Sequence, residues 1–388
     1  MSVTENIDPP KAKVQTAVVQ GESTSKPADE KPLPLVISND MPISSPPAGH
    51  VLVRVLAVAL NPTDHKMPVH FPQPDSTAGC DFCGIVVSLN AENDRSQQSM
   101  KPGTRVCGNV FGYNPARPLE GAFAQYVVAD ISQLLRVPND WSDLQAAALG
   151  GVGWKTAALA LWDKEALALE GKPSRPVQGE MAPVIVFGGA TATGTMASQL
   201  LKASGYNPIA VVSPTSSRLA IEYGAGRATS YLSSSCSKDI QTAAGAPIRH
   251  ALDCITDAES VPACFGALSR RGGRYACLEA FPETWKTRNA VRAATVMAYE
   301  TTGVAVDFGE AVQYTRPARE EGHRLGVEAA TELQALLDRG LIRSHPLEEV
   351  QGGWEGILEG LEILRGGRLK GKKLVVRIPQ AGAAHLGK

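Results

Sequence analysis

The stretch Val184-Ile185-Val186-Phe187-Gly188-Gly189-Ala190-Thr191-Ala192-Thr193-Gly194 carries the sharpest chemical signal in the chain. A β-branched run leads into small residues and then a helical pattern. That is what a pyrophosphate requires: a backbone able to approach the phosphates, and the free N–H groups and positive dipole end of a helix. In the G-x-G-x-x-G register Gly189 and Gly194 match, while Thr191 takes the place of the middle glycine. A purely structural glycine turn is the competing reading, and the alternating strand and helix patterns that follow favour the nucleotide. About twenty residues on, where an acidic residue would hold an NAD ribose, the chain reads Ser213-Pro214-Thr215-Ser216-Ser217-Arg218. A carboxylate there would repel a 2′-phosphate, whereas hydroxyls and a guanidinium would welcome it, so Ser213, Ser216 and Arg218 point to NADPH over NADH. The alternative is a serine cap beside a solvated arginine.

Other chemistries find less support. Cys80-x-x-Cys83 has no second pair at short spacing, as a structural zinc site would want, and reads as two buried small hydrophobes. No G-x-S-x-G elbow occurs, and the seven histidines form no H-E-x-x-H pattern, so hydrolase chemistry is unsupported.

These residues need a scaffold. In the first third, strands are predicted at residues 14–19, 51–59, 84–89, 104–108 and 123–128, punctuated by turns such as Lys101-Pro102-Gly103, a spacing that suits a small barrel. Ser142-Asp143-Leu144-Gln145 then caps a helix over residues 146–161. Past a Pro- and Gly-rich loop at 166–183, strands at 183–187, 208–212, 250–254 and 274–278 alternate with helices at 195–204, 217–223 and 261–268. Such alternation implies a parallel sheet with right-handed crossovers. A helix at 326–339 and a last strand at 373–378 resemble the first third, so the nucleotide domain is read as an insertion. The domains are placed at 1–160, 161–325 and 326–388.

A chain of 388 residues exceeds the roughly 100–200 of one domain. Its 38 basic and 39 acidic residues leave a formal charge of −1, which favours neither nucleic acid nor an anionic membrane. Residues 1–15 are polar and lack the apolar core of a secretory signal, which predicts a cytoplasmic protein. No apolar run approaches the roughly 18 residues that span a bilayer. Seven scattered cysteines are read as reduced thiols.

Taken together the chain resembles the medium-chain dehydrogenases, and more closely the trans-acting enoyl reductases of fungal highly reducing polyketide synthases and their peptide-synthetase hybrids. The segments that carry this are Ala59-Leu60-Asn61-Pro62-Thr63-Asp64-His65-Lys66-Met67, Gly121-Ala122-Phe123-Ala124-Gln125-Tyr126, Ala251-Leu252-Asp253-Cys254-Ile255-Thr256 and His345-Pro346-Leu347. The fold implied is α/β: a GroES-like β-barrel with an inserted Rossmann doubly wound parallel sheet. Zinc-containing relatives have a ligand cysteine where Asn61 stands and a ligand histidine where Cys80 stands, so the resemblance implies a zinc-free, NADPH-dependent reductase. It places cofactor contacts on Thr63, Asp64, His65 and Lys66, on Ala190, Thr191, Ala192 and Thr193, on Ser213, Pro214, Thr215 and Ser216, and on Tyr231, Leu278, Glu279, Lys370 and Gly371, to which the residue reading above adds Gly189, Gly194 and Arg218. Substrate would lie along Thr156, Ala157, Ala158, Leu159, Ala160, Leu161, Trp162 and Asp163, and along Tyr299, Glu300, Thr301, Thr302 and Gly303.

The implied reaction passes hydride from NADPH to the β-carbon of an enoyl thioester, and the resulting enolate is protonated at the α-carbon. The roles are Lys66 as a positive group orienting the cofactor or damping enolate charge, and Thr156 lining the pocket. Lys66 could instead pair with Asp64, and Thr156 could serve only as a helix-start residue. His65 is read as a packed or solvated loop residue. The partner implied is an acyl carrier domain of a polyketide synthase, with Arg270, Arg271, Arg274, Arg288 and Arg292 as docking candidates and a solvated arginine face as the alternative. The resemblance implies a monomer. The rivals are a free-standing quinone or enal reductase of the same fold, and an NADPH-binding partner protein that has lost turnover.

Overall fold

The computed structural model describes residues 9–22, 32–90, 100–367 and 369–380, so part of the polar leader lies outside the described residues. Two compact units divide the chain: residues up to Val152 with those from Pro346 onward, and Gly153–His345.

The first unit is a sheet structure built on one long strand. Its elements are β1 (Val14–Gln20), β2 (Leu35–Pro42), β3 (His50–Ala59), α1 (Pro62–His70), β4 (Asp81–Leu89), β5 (Arg105–Asn109), β6 (Tyr126–Asp130), β7 (Leu135–Arg136) and α2 (Asp143–Leu149). β1 and β2 pair antiparallel on their own. β3 pairs β4 along its length, with register shifts after Leu52 and Val55 that bend the pair. Its opposite edge is shared, because residues 50–54 face β6 and residues 57–59 face a strand from the far end of the chain.

The helix expected over 146–161 is two. α2 ends at Gly150, and α3 (Val152–Trp162) starts after Gly151. Gly150 has φ +48°, and a Cβ on it would stand 2.4 Å from Asp81 Cγ, while one on Gly151 would stand 2.1 Å from Asn109 Oδ1. Only glycine lets the backbone pass that close.

The second unit continues with β8 (Pro183–Phe187), α4 (Ala192–Ala203), β9 (Asn207–Val212), α5 (Ser217–Glu222), β10 (Arg227–Ser230), α6 (Cys236–Ala244), β11 (His250–Asp253), α7 (Ser260–Ala267), β12 (Gly273–Cys277), β13 (Val291–Thr295) and α8 (Glu320–Asp338). The strands form one sheet in the order β10-β9-β8-β11-β12-β13, every pairing parallel. That is the 3-2-1-4-5-6 order of a Rossmann sheet, whose reversal between β8 and β11 opens a ligand crevice at the carboxyl ends of the strands. β8 and most of β9 are buried, as expected of strands covered on both faces. Ile185, Ile209, Val211, Ile240, Val261 and Phe265 pack in one apolar cluster. Because α8 and the residues to His345 group with this unit, it runs past the expected boundary at 325.

The chain then returns to the first unit through β14 (Leu347–Glu349), α9 (Trp354–Arg365) and β15 (Lys373–Arg377), the strand that completes the edge of β3. All seven cysteines are free thiols. Among the described residues no helix is long and apolar enough to cross a membrane.

Candidate functional site

In the second unit the turn after β8 is built as a cradle. Gly188 takes φ +73°. A Cβ on Gly194 would lie 2.3 Å from Gly188 O, and one on Gly189 would lie 2.7 Å from Ala210 Cβ, so both matched glycines are sterically required. Thr191, the departure from the motif, is the N-cap of α4: its Oγ1 accepts from Gly194 N at 3.0 Å and donates to Gly188 O at 2.8 Å. The first i to i−4 bond runs from Thr195 N to Thr191 O, so Ala192 and Thr193 occupy the first helical turn, whose N–H groups face outward. Thr191 thus supports the turn that a third glycine would have loosened.

At the carboxyl end of β9, Ser213 Oγ lies 3.0 Å from Thr215 Oγ1 and 2.8 Å from Ser216 Oγ, with Pro214 between them. This knot of hydroxyls lacks a carboxylate. Arg218 is exposed beside them, and its Nε donates to Glu222 Oε1 at 2.7 Å, one helical turn away. Tyr231, 39% exposed, stands over Phe187 with ring centroids 6.4 Å apart.

The crevice has a second wall. Asp253, at the end of β11, accepts Ile255 N at 2.9 Å and Thr256 N at 3.0 Å on Oδ1, and the Tyr275 hydroxyl at 2.8 Å on Oδ2. Burial nevertheless raises its pKa against these bonds. They hold Thr256 at φ +62°, an uncommon conformation for a β-branched residue, and Thr256 Oγ1 in turn accepts Leu278 N. Glu279 follows and accepts from the Tyr314 hydroxyl at 3.1 Å. The sequence reading used this segment for resemblance but missed the role of Asp253.

The two expected substrate stretches are joined by an arginine that sequence reasoning missed. Arg319, capping α8, donates to Asp163 at 3.0 and 3.3 Å and to Glu300 at 3.4 Å. Arg316 lies 3.7 Å from the other Glu300 oxygen, and burial raises the Glu300 pKa. Thr156, Tyr299 and Thr301 are nearly buried, and Ala157, Ala158, Leu159, Ala160 and Leu161 are core residues exposed by no more than 2%. Trp162 is buried, Thr302 exposed and Gly303 half-buried.

In the first unit Asn61, Asp64, Asp81 and Lys373 form a buried polar node, each no more than 6% exposed. Asp81 Oδ1 accepts Gly151 N at 2.8 Å and Val152 N at 2.9 Å. Its Oδ2 takes Asn61 Nδ2 at 2.9 Å and Lys373 Nζ at 3.2 Å, and Lys373 also donates to Asn61 Oδ1. Asp64 Oδ2 accepts Asn61 N at 2.7 Å and so caps α1. Burial, reinforced by the charge of Asp81, lifts the Asp64 carboxyl to about 7. An amide, an ammonium, a carboxylate already holding four donors and the Asp64 carboxyl, whose charged form burial disfavours, do not fit a divalent cation, which the ammonium would repel. Among the described residues no group of three His, Cys, Asp or Glu side chains could hold one.

Thr63, His65 and Lys66 lie half-buried on α1. His65 is therefore helical, unlike the expected loop residue, and burial followed by the charge of Lys66 lowers its pKa to about 4, so it stays neutral near pH 7. Lys370 is exposed in the turn before β15, and Gly371 has φ +64°. Of the docking arginines, Arg274 donates to the Lys164 and Ala166 carbonyls, Arg288 to those of Phe265, Leu268 and Ser269, and Arg292 to Glu165. Only Arg270 and Arg271 of that set are left for a partner.

Residues 47–139 match the alcohol dehydrogenase GroES-like domain family. The chain is 49% identical to the trans-enoyl reductase calK of Penicillium decumbens, over 95% of this chain and 99% of that protein. It is 51% identical to the trans-enoyl reductase sthE of Phaeosphaeria nodorum, over 94% and 97%. The structure of mycobacterial Rv1454c complexed with NADPH superposes with a TM-score of 0.68 at 18% identity, covering 94% of this chain and all of that one. A barrel unit carrying an inserted Rossmann sheet, joined to near-full-length identity of this size, leads to one assignment: the chain belongs to the trans-enoyl reductases of the medium-chain dehydrogenase/reductase superfamily.

Proposed function

We propose that this enzyme reduces the α,β-double bond of an enoyl thioester held on the acyl carrier domain of a fungal polyketide synthase or its peptide-synthetase hybrid, with NADPH as reductant. The observation that carries this reading is the identity of about half of all residues, over nearly the whole chain, to two trans-enoyl reductases. The phosphate cradle at Gly188, Gly189 and Gly194 and the hydroxyl knot at Ser213 and Ser216 fit NADPH locally.

When bound, NADPH supplies a hydride to the β-carbon. The chain's own work is binding, orientation and charge control. Thr191 would keep the α4 N-terminus open toward the pyrophosphate, and Ser213, Thr215 and Ser216, with Arg218 nearby, would hold the 2′-phosphate. Asp253 fixes the Ile255–Thr256 bend that supports Leu278. Arg319 holds the end of α3 against the turn at Tyr299 and Glu300, setting the walls of the acyl pocket. Lys66 offsets charge developing on the thioester oxygen, and Thr156 borders the pocket. His65, neutral near pH 7, is assigned no role as an acid. The reading assigns no divalent cation to the buried node, whose Asp81 and Lys373 answer each other's charge.

The test is NADPH oxidation against a short enoyl thioester on a pantetheine handle, with NADH and a simple quinone as comparisons. Thioester turnover with NADPH preferred and insensitivity to a chelator is the expected outcome. Turnover of the quinone alone would overturn the reading in favour of a free-standing reductase.

A further inference from the structure

The second unit carries a basic groove at the end of its sheet opposite the nucleotide turn. It is about 430 Å³ in volume and is lined by Pro247, Ile248 and Arg249, which lead into β11, and by Ala267, Arg270 and Arg271, which lead into β12. All three arginines are exposed. Their neighbours Arg274, Arg288 and Arg292 are all spent on carbonyls or on Glu165. No carboxylate lines the groove. Exposed arginines around a small apolar floor have the composition of a protein-binding patch, in which Arg is enriched and contributes bidentate bonds to carboxylates.

Position sets what such a patch can do. The groove lies before the first residues of β11 and β12, whereas the phosphate cradle and the Asp253 loop follow the last residues of β8 and β11. Because all these strands are parallel, strands of four to five residues separate the two ends by roughly 15 Å. A protein seated on the groove leaves the nucleotide end of the sheet uncovered.

We propose that Arg249, Arg270 and Arg271 form the surface by which this trans-acting enzyme is held on an acidic face of its partner synthase, at the end of the sheet opposite the nucleotide turn. The proposal rests on the functional reading above. Such an attachment persists while successive thioesters arrive at the other end, which one shared surface for holding and delivery would not permit.

The experiment compares the wild type with the triple variant R249E/R270E/R271E and the charge-keeping triple R249K/R270K/R271K. Three readouts are taken: affinity for the intact synthase at two salt concentrations, turnover of a free pantetheine enoyl thioester, and thermal unfolding. The expected result is a loss of synthase affinity of at least about tenfold for the glutamate variant. The lysine variant keeps most of it, wild-type binding weakens with salt, and free thioester turnover is the same for all three. Wild-type synthase affinity in a folded glutamate variant would overturn the proposal. So would unchanged synthase affinity with a raised KM for thioester on an isolated carrier domain, which would make the groove a delivery site. If the glutamate variant unfolds, salt-independent binding of the wild type overturns it alone. Absence of wild-type turnover on the free thioester would instead remove the functional reading, and with it the partner named here.

Discussion

The nucleotide turn and the buried node treat polar groups in opposite ways. After β8, the first backbone N–H groups of α4 lack intrahelical partners, Gly194 N being taken by Thr191, and the hydroxyls after β9 bond one another in exposed or half-buried positions. In the barrel unit, Asp81 holds four donors and Lys373 is spent on Asn61 and Asp81, all out of solvent. Unspent donors make a binding site, while spent ones make a joint. The same residue types therefore carry different consequences when altered, and the contrast can be broken at graded cost.

The largest effect is expected at the joint. Lys373→Met leaves Asp81 short of its countercharge, and losing one partner of a buried pair costs about 3–5 kcal/mol. Urea unfolding should show this loss, and cofactor affinity in the folded fraction should change far less; a stability within 1 kcal/mol of wild type would contradict the picture of a joint. The pH dependence comes next. Because Asp64 is raised from 3.8 to about 7, the folded state holds its proton where the unfolded state has released it. Its contribution to stability is constant below about 3.8, declines as pH rises toward 7 and is lost above. A shift of that size corresponds to about 4 kcal/mol. His250 runs the other way: burial, then Arg274 and Arg249, lower it from 6.5 to about 4, so its contribution is full above 6.5 and is lost as pH falls to 4. Denaturation across pH 4–7 should therefore show a more steeply rising stability in Asp64→Asn than in wild type, and equal slopes would refute the assignment.

Smaller effects are expected where donors are unspent. Ser213→Asp places a carboxylate at the hydroxyl knot and should weaken NADPH at least about tenfold, by about 1.4 kcal/mol, with NADH nearly unaffected in a fluorescence titration. Equal loss for both would move the 2′-phosphate elsewhere. Thr191→Ala removes only a cap, worth about 1 kcal/mol, and should lower the melting temperature slightly while loosening NADPH. Unchanged binding would leave the hydroxyl a purely structural part.

How much of this was legible follows from locality. β8 falls at Pro183–Phe187 as expected, and the cradle was readable because its glycines, cap and helix lie within a few residues. α1 was hidden by Pro62 and Pro68, although the first stands where a helix tolerates proline. α9 was hidden by its glycines, yet a Cβ on Gly360 would stand 2.4 Å from Leu60 Cδ1, so that glycine is a packing choice. The joint and the Arg319 fork could not be read because their members lie far apart in the chain and no spacing links them. Asp81 was visible only as the neighbour of Cys80. Arg218 was read from residue type and position, and its pairing with Glu222 one turn later is a local contact the helical spacing could have shown.

The carboxylate of Asp81 also bears on how so large an insertion is tolerated. It binds Gly151 and Val152, where the chain leaves the first unit, and Lys373, whose own N–H donates to Pro346 O at 2.7 Å, where the chain comes back. Departure and return are thus clasped within the first unit. Loop-closure entropy grows only with the logarithm of length, so the clasp would serve a shorter or longer insert nearly as well, and the barrel can be treated as a socket that accepts exchange of what it carries.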